Sequence, residues 1–302
     1  MEKVIIIGAG PAGISAALYA VRGNLDPLVI NNGIGALEKA EKIENYYGLE
    51  HPLSGQELYD TGIAQAKALG VRILDAQVLG VGGFDTFVVK TTEGEFETQS
   101  LILATGSKRA APKIPGVKEF EGKGVSYCAI CDAFFYRGKD VAVLGNGDFA
   151  MHEAKELSNT ASTVTIYTNG EEPEFTPEGN ISVNTMKIQS VEGDDLVSGI
   201  RLAPDIQAQE MNADAGQQAN DFCPAEGVFI AMGTAGSTEI ARQMGAELTE
   251  KGNIKVNENM ETTIPGLYAA GDCTGGLLQV AKAVYEGAQA GINAGKYVRS
   301  LK

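Results

Sequence analysis

The chain has 302 residues, 44% hydrophobic and 21% charged, with 38 Gly, 10 Pro and no Trp. That length suggests about two domains around a sizeable core and excludes a disordered chain, a collagen-like repeat and a disulfide-stapled mini-protein. A net charge of −15 argues against nucleic acid or an anionic membrane surface as a partner, and four Cys are too few for a disulfide framework.

Val4–Ile7 is a β-branched apolar run, the pattern of a strand buried on both faces. Gly8-Ala9-Gly10-Pro11-Ala12-Gly13 follows, then a helical stretch from Ile14 to Val21. The whole apolar run is about long enough to span a membrane. Gly8, Gly10, Pro11 and Gly13 break it, and it has no basic start or cleavage site. It therefore reads as strand, turn and helix, and the protein as cytoplasmic with no membrane partner. Leu28–Ile30 is the next strand. Ser100–Gly106 is a later buried strand ending in a tight turn, and Ala110–Gly116 reads as a linker.

A second unit opens with Val141–Leu144, turns through Gly145–Ala150 and continues as a helix to Leu157. Val164–Tyr167 is its second strand, and Val228–Gly233 closes it as Leu103–Gly106 closes the first. The opening strand and turn thus occur twice, which is a duplication and not a solenoid period. The expected fold class is α/β: two Rossmann-like, three-layer dinucleotide-binding domains, the second inserted into the first. Residues 1–112 and 241–302 form the outer domain and 113–240 the inner one. Residues 113–240 hold 8 Lys/Arg against 20 Asp/Glu, a net of −12.

Gly-x-Gly-x-x-Gly between a buried strand and a helix is a dinucleotide fingerprint. Its glycines permit a tight turn and close backbone approach, and the pyrophosphate rests on the helix N-terminus. The alternative is a purely structural glycine turn. The second strand runs into Asn31-Asn32, so no Asp or Glu is offered to a ribose and Asn31 is the candidate there.

Cys128-Ala129-Ile130-Cys131-Asp132 is the chemical centre. Two thiols at this spacing can close a redox disulfide, share a metal or stay inert. Zinc would normally need two further ligands, while Cys223 and Cys273 are isolated and the histidines are His51 and His152; no metal site is expected. Asp132 can deliver a proton to a departing thiolate or flavin, or be an ordinary turn carboxylate. His152 is expected on a helix surface.

Together with Ile43–Gly48, Ala104-Thr105-Gly106, Gly124–Tyr127, Phe134–Arg137, Gly271-Asp272 and Gln279-Val280-Ala281, this run makes the sequence resemble the low-molecular-weight thioredoxin reductases along nearly its whole length. The resemblance implies FAD in the discontinuous domain and the Cys pair in the inserted one. It implies Gly8, Gly10 and Gly13 at the FAD pyrophosphate, with Pro11 and Ala12 lining the turn. Gly271-Asp272 would hold a flavin-side hydroxyl or phosphate. Asn45, Gln279, Val280 and Ala281 would border the isoalloxazine, near a loop containing Leu37 in which Ala36 replaces a family Gln. It also implies thioredoxin as the protein substrate, a homodimer, and two domain orientations about hinges near Lys108–Pro115 and Gly233–Thr238.

The departure lies in the second turn. Asp148 and Phe149 replace small polar residues, so a carboxylate would repel a pyrophosphate and Phe149 would fill its space. Tyr167-Thr168-Asn169-Gly170-Glu171-Glu172-Pro173-Glu174 stands where NADPH-using relatives carry arginines for the 2′-phosphate. NADPH is therefore not expected as donor, and the sequence is similar to the ferredoxin-dependent flavin thioredoxin reductases. Lys108, Arg109, Lys113, Lys282, Lys296 and Arg299 are candidates for a basic patch that meets an acidic ferredoxin. The other readings are an NAD(P)H-dependent reductase with an unusual loop and a non-enzymatic flavoprotein redox sensor.

Overall fold

A computed structural model of the chain describes residues 1–83, 85–106, 112–204, 221–232 and 236–301, the side chain of Cys131 excepted. The chain divides into two compact units, Met1–Arg109 with Ala235–Lys302, and Ala110–Thr234. The divisions fall a few residues from 112/113 and 240/241, which leaves the short helix Ser237–Gln243 with the first unit. Much of the two expected hinges, and both Lys108 and Arg109, lie outside the described residues.

In the first unit β1 (Glu2–Ile7), α1 (Pro11–Arg22), β2 (Leu28–Asn31), α2 (Gly55–Ala68), β3 (Arg72–Asp75), β4 (Val78–Gly82), β5 (Phe87–Thr91) and β6 (Gly94–Leu103) follow in order. The sheet runs β3-β2-β1-β6-β5-β4. Its β3-β2-β1-β6 part is parallel and β6-β5-β4 antiparallel. Val4, Ile5 and Ile6 are wholly buried, as a central strand covered on both faces requires. Gly10 caps α1 and Pro11 takes its first position, where a missing N–H costs nothing.

The second unit holds β7 (Val125–Ser126), α3 (Ala129–Asp132), β8 (Asp140–Leu144), α4 (Asp148–Ser158), β9 (Thr163–Tyr167) and β10 (Ser182–Asn184). An antiparallel trio follows, β11 (Ile188–Gly193), β12 (Val197–Leu202) and β13 (Phe222–Pro224), and then β14 (Gly227–Ile230). The main sheet, β10-β9-β8-β14-β7, is parallel throughout. The chain then returns to the first unit as β15 (Leu267–Ala269), parallel to the end of β6, and the C-terminal helix Val280–Ser300. Gly287 and Gly291 let that helix close on α1, since a Cβ there would lie 2.0 and 2.3 Å from the carbonyl oxygens of Ala12 and Ala16.

The duplication read from sequence is a duplication of hydrogen bonds. The Gly8 amide donates to Ile30 and that of Ala104 to Ile7, at 2.9 and 2.8 Å. In the second unit Gly145 donates to Tyr167 and Ala231 to Leu144, at 3.0 and 2.8 Å.

Candidate active site

The first turn is shaped by backbone contact. A Cβ on Gly13 would lie 1.8 Å from the Gly8 carbonyl oxygen, and one on Gly8, at φ +108°, 2.4 Å from that of Ala104. Both positions must be glycine for packing alone. Gly10 differs, because a Cβ there would meet nothing within 4 Å. The outer side of the turn is thus free for a phosphate to approach the start of a twelve-residue helix. The turn therefore fits a dinucleotide pyrophosphate.

Gly271 adjoins this turn, its Cβ position being 3.0 Å from the Ala12 Cβ. Asp272 follows at the start of a 3-10 helix, Asp272–Thr274, and burial raises its carboxyl above the usual range against the pull of Lys282. Glu286 accepts from the Gly271 amide at 2.8 Å and from the Thr274 hydroxyl at 2.9 Å. Lys282 Nζ donates to the Gly271 carbonyl at 2.7 Å and stands 2.9 Å from Glu286. Lys282 is consequently no member of an exposed basic patch: its side chain is 15% exposed and committed to this ion pair. Lys113, Lys296 and Arg299 are exposed, although Arg299 also donates to Gly23.

Asn45 Nδ2 donates to Gln279 Oε1 at 3.0 Å, which brings two of the residues expected near the isoalloxazine together. Gln279 caps the C-terminal helix, and Val280 and Ala281 open it. Leu37 sits in a 3-10 helix, Gly35–Lys39, against which α2 starts without room for a side chain on Gly55. Asn31 ends β2 with its amide already engaged, donating to Asp75 at 2.6 Å and accepting from Tyr59 at 2.9 Å. Cys273 is a free, buried thiol, pushed up to about 12 by burial.

In the second unit Cys128 is buried and disulfide-bonded, whereas Cys223 and Cys273 are free. The Ser126 hydroxyl organises this turn: it accepts the Cys128 amide at 3.1 Å and donates to Asp132 Oδ2 at 2.6 Å. The next amide, that of Ala129, donates to Glu153 Oε2 on α4 at 2.6 Å. Ile130, Phe134 and Phe135 are exposed beside the pair, with Arg137 over the Phe134 ring at 5.7 Å. Tyr136 anchors this segment by meeting Phe229 edge-on at 5.1 Å.

The second turn keeps Asp148 and Phe149 at the start of α4. Phe149 is buried, whereas Asp148 before it stays exposed. What meets the turn is the chain after β9. The Glu174 amide donates to the Asn146 carbonyl at 2.7 Å, and Glu174 Oε2 lies 4.0 Å from the Cβ position of Gly147. His152 is largely enclosed, with its side chain 13% exposed and 4.0 Å from Glu156, and is not on the helix surface.

Sequence reasoning missed Ser126, Glu153 and the Lys282–Glu286 pair. For Glu153 a signal existed. It shares the helical face of Ala150, Ala154 and Leu157, where a carboxylate is out of place unless it has a partner.

Residues 2–287 match the family model of the pyridine nucleotide-disulphide oxidoreductases. The chain is 37% identical over 284 residues to a thioredoxin reductase of Aquifex aeolicus, covering 89% of this chain and 84% of that one. Among solved structures it resembles the atypical thioredoxin reductase TRi of Desulfovibrio vulgaris Hildenborough, with a TM-score of 0.88 at 38% identity and 99% of both chains covered. A ferredoxin-flavin thioredoxin reductase of Clostridium acetobutylicum gives 0.68 at 29% identity, covering 99% of this chain and 98% of that one. The chain belongs to the pyridine nucleotide-disulphide oxidoreductases and, within them, to the low-molecular-weight thioredoxin reductase type. It is an oxidoreductase of flavoprotein class.

Proposed function

We propose that this chain reduces the disulfide of a thioredoxin, taking electrons through FAD and a Cys128–Cys131 pair, with a ferredoxin as the donor. The observation that carries the disulfide chemistry is the Cys128 turn itself, a buried disulfide sulfur whose flanking amides and carboxylate are held by Ser126 and Glu153. With Cys223 and Cys273 free, Cys131 is the proposed partner of Cys128. FAD, when bound at the Gly8–Gly13 turn and Gly271-Asp272, supplies two electrons to that disulfide. Asp132, oriented by Ser126, is the group proposed to relay a proton to one sulfur. A thiolate of the pair then attacks the partner disulfide and passes through a mixed disulfide. The exposed Ile130, Phe134 and Phe135 offer an apolar surface of the kind that marks protein docking. A homodimer is proposed on the resemblance.

The donor reading rests on the second turn. Asp148 stands at the start of α4, Glu174 is tied across Asn146, and Thr168–Glu174 offers no Arg or Lys to a 2′-phosphate. A like charge a few ångströms from a phosphate costs on the order of 1–4 kcal/mol, and the attraction of a bidentate guanidinium is absent. The second reading, a nicotinamide-dependent reductase, is favoured by the intact backbone of that turn, in which a Cβ on Gly145 would meet the Ala231 carbonyl oxygen at 2.3 Å.

The test of the disulfide chemistry is substitution. Cys128→Ser and Cys131→Ser should each abolish thioredoxin reduction and leave the bound-flavin absorbance unchanged. Full turnover by the double variant would refute the assignment.

A further inference from the structure

Glu153 holds the Ala129 amide of the disulfide turn, and no proton step uses it. It is 1% exposed, among Ala150, Ala154 and Leu157 of α4. Its Oε2 accepts the Ala129 amide at 2.6 Å, while Oε1 is buried without a hydrogen-bond partner. A carboxylate oxygen left unpaired away from water is costly, so stability alone does not account for this residue. Burial pushes the carboxyl up to about 7, the Ala129 bond opposing and Glu156 adding to the shift.

Ala129 is the residue after Cys128, inside the Cys-x-x-Cys turn. We propose that Glu153 is a positioning residue for the disulfide, fixing the turn through the Ala129 amide, and that its carboxylate takes up a proton when the pair is reduced. This rests on reading the pair as the redox centre. Two electrons break the S–S bond and leave two sulfurs. One sulfur takes a proton from solvent through Asp132. The charge of the other, kept as thiolate, raises the proton affinity of a nearby carboxylate. Glu153, already partly protonated near pH 7, then binds a further fraction of a proton, so between one and two protons accompany the two electrons while the second sulfur remains a thiolate. The other titratable groups on the surrounding elements are Asp148, His152, Lys155 and Glu156 on α4, Cys128 just before α3 with Cys131 and Asp132 on it, Asp140 on β8 and Tyr167 on β9. Among them Glu156 is the one whose charge acts on Glu153.

The experiment equilibrates the holoenzyme disulfide with dithiothreitol from pH 6 to 8, in the wild type and in Glu153→Gln. Gln keeps an acceptor for Ala129 but cannot ionise. The ratio of the two equilibrium constants for reduction should rise toward low pH by about threefold to tenfold, a pKa shift of up to one unit being about tenfold. A flat ratio, with both disulfides exchanging, overturns the proton role of Glu153 and leaves the redox pair intact. A disulfide that dithiothreitol reduces in neither protein overturns the redox pair and this proposal with it. For positioning, Glu153→Leu strands a buried amide. Its thioredoxin turnover should drop by about tenfold, and Glu153→Gln should recover most of that loss. Wild-type turnover by Glu153→Leu overturns the positioning role.

Discussion

Among the described residues, one carboxyl is shifted to near neutral pH. Glu153 has a folded-state pKa raised to about 7 from 4.5. Its stabilising contribution is therefore complete below the unfolded value and is lost as pH rises through the folded one. Glu153→Gln lacks this dependence. Urea unfolding of the oxidised protein should show the stability difference moving toward the variant between pH 5 and pH 8, by on the order of 1–3 kcal/mol. A difference constant over that range would mean that Glu153 is not buried as described. Such a residue is hard to read from sequence. The Cys pair announces itself by spacing, as Asp132 does by adjacency, whereas Glu153 acts across a fold-dependent contact between α4 and the turn before it. Lys282 shows the converse: composition marks it as a surface cation, and only the folded C-terminal helix brings it to Gly271 and Glu286.

Among the elements, the strand–turn–helix units were the legible ones, because a buried strand and a glycine turn are encoded within about a dozen residues. The antiparallel pieces, β4–β5 and β11–β13, were not, since they have no glycine fingerprint and depend on pairing with β6 and with one another. The two kinds of glycine in the first turn make a separable prediction. Gly13→Ala must push the Gly8 carbonyl aside, and should lower the Tm of the apoprotein and prevent flavin binding together. Gly10→Ala meets only open space. It should leave the apoprotein within about 0.5 kcal/mol of wild type and still weaken flavin binding. Thermal melts of stripped protein and flavin titration check both; an unweakened flavin in Gly10→Ala would mean that the phosphate does not approach there.

For the molecule as a whole, the sequence arranges two copies of one strand–turn–helix design, and the proposed donor rests on the difference between their turns. The first turn presents Gly10 and an open helix start; the second presents Asp148, with Glu174 fastened across Asn146. The inner segment, 113–240, carries 20 Asp/Glu against 8 Lys/Arg, so the field around that turn also disfavours a polyanion. The central claim is therefore that electrons reach the disulfide without NADPH. Anaerobic stopped-flow of flavin absorbance, with NADPH, NADH and reduced ferredoxin mixed in parallel and oxidised thioredoxin supplied afterwards, tests it most directly. The account predicts rapid bleaching by reduced ferredoxin alone, followed by thioredoxin thiols; fast, saturable bleaching by micromolar NADPH would contradict it.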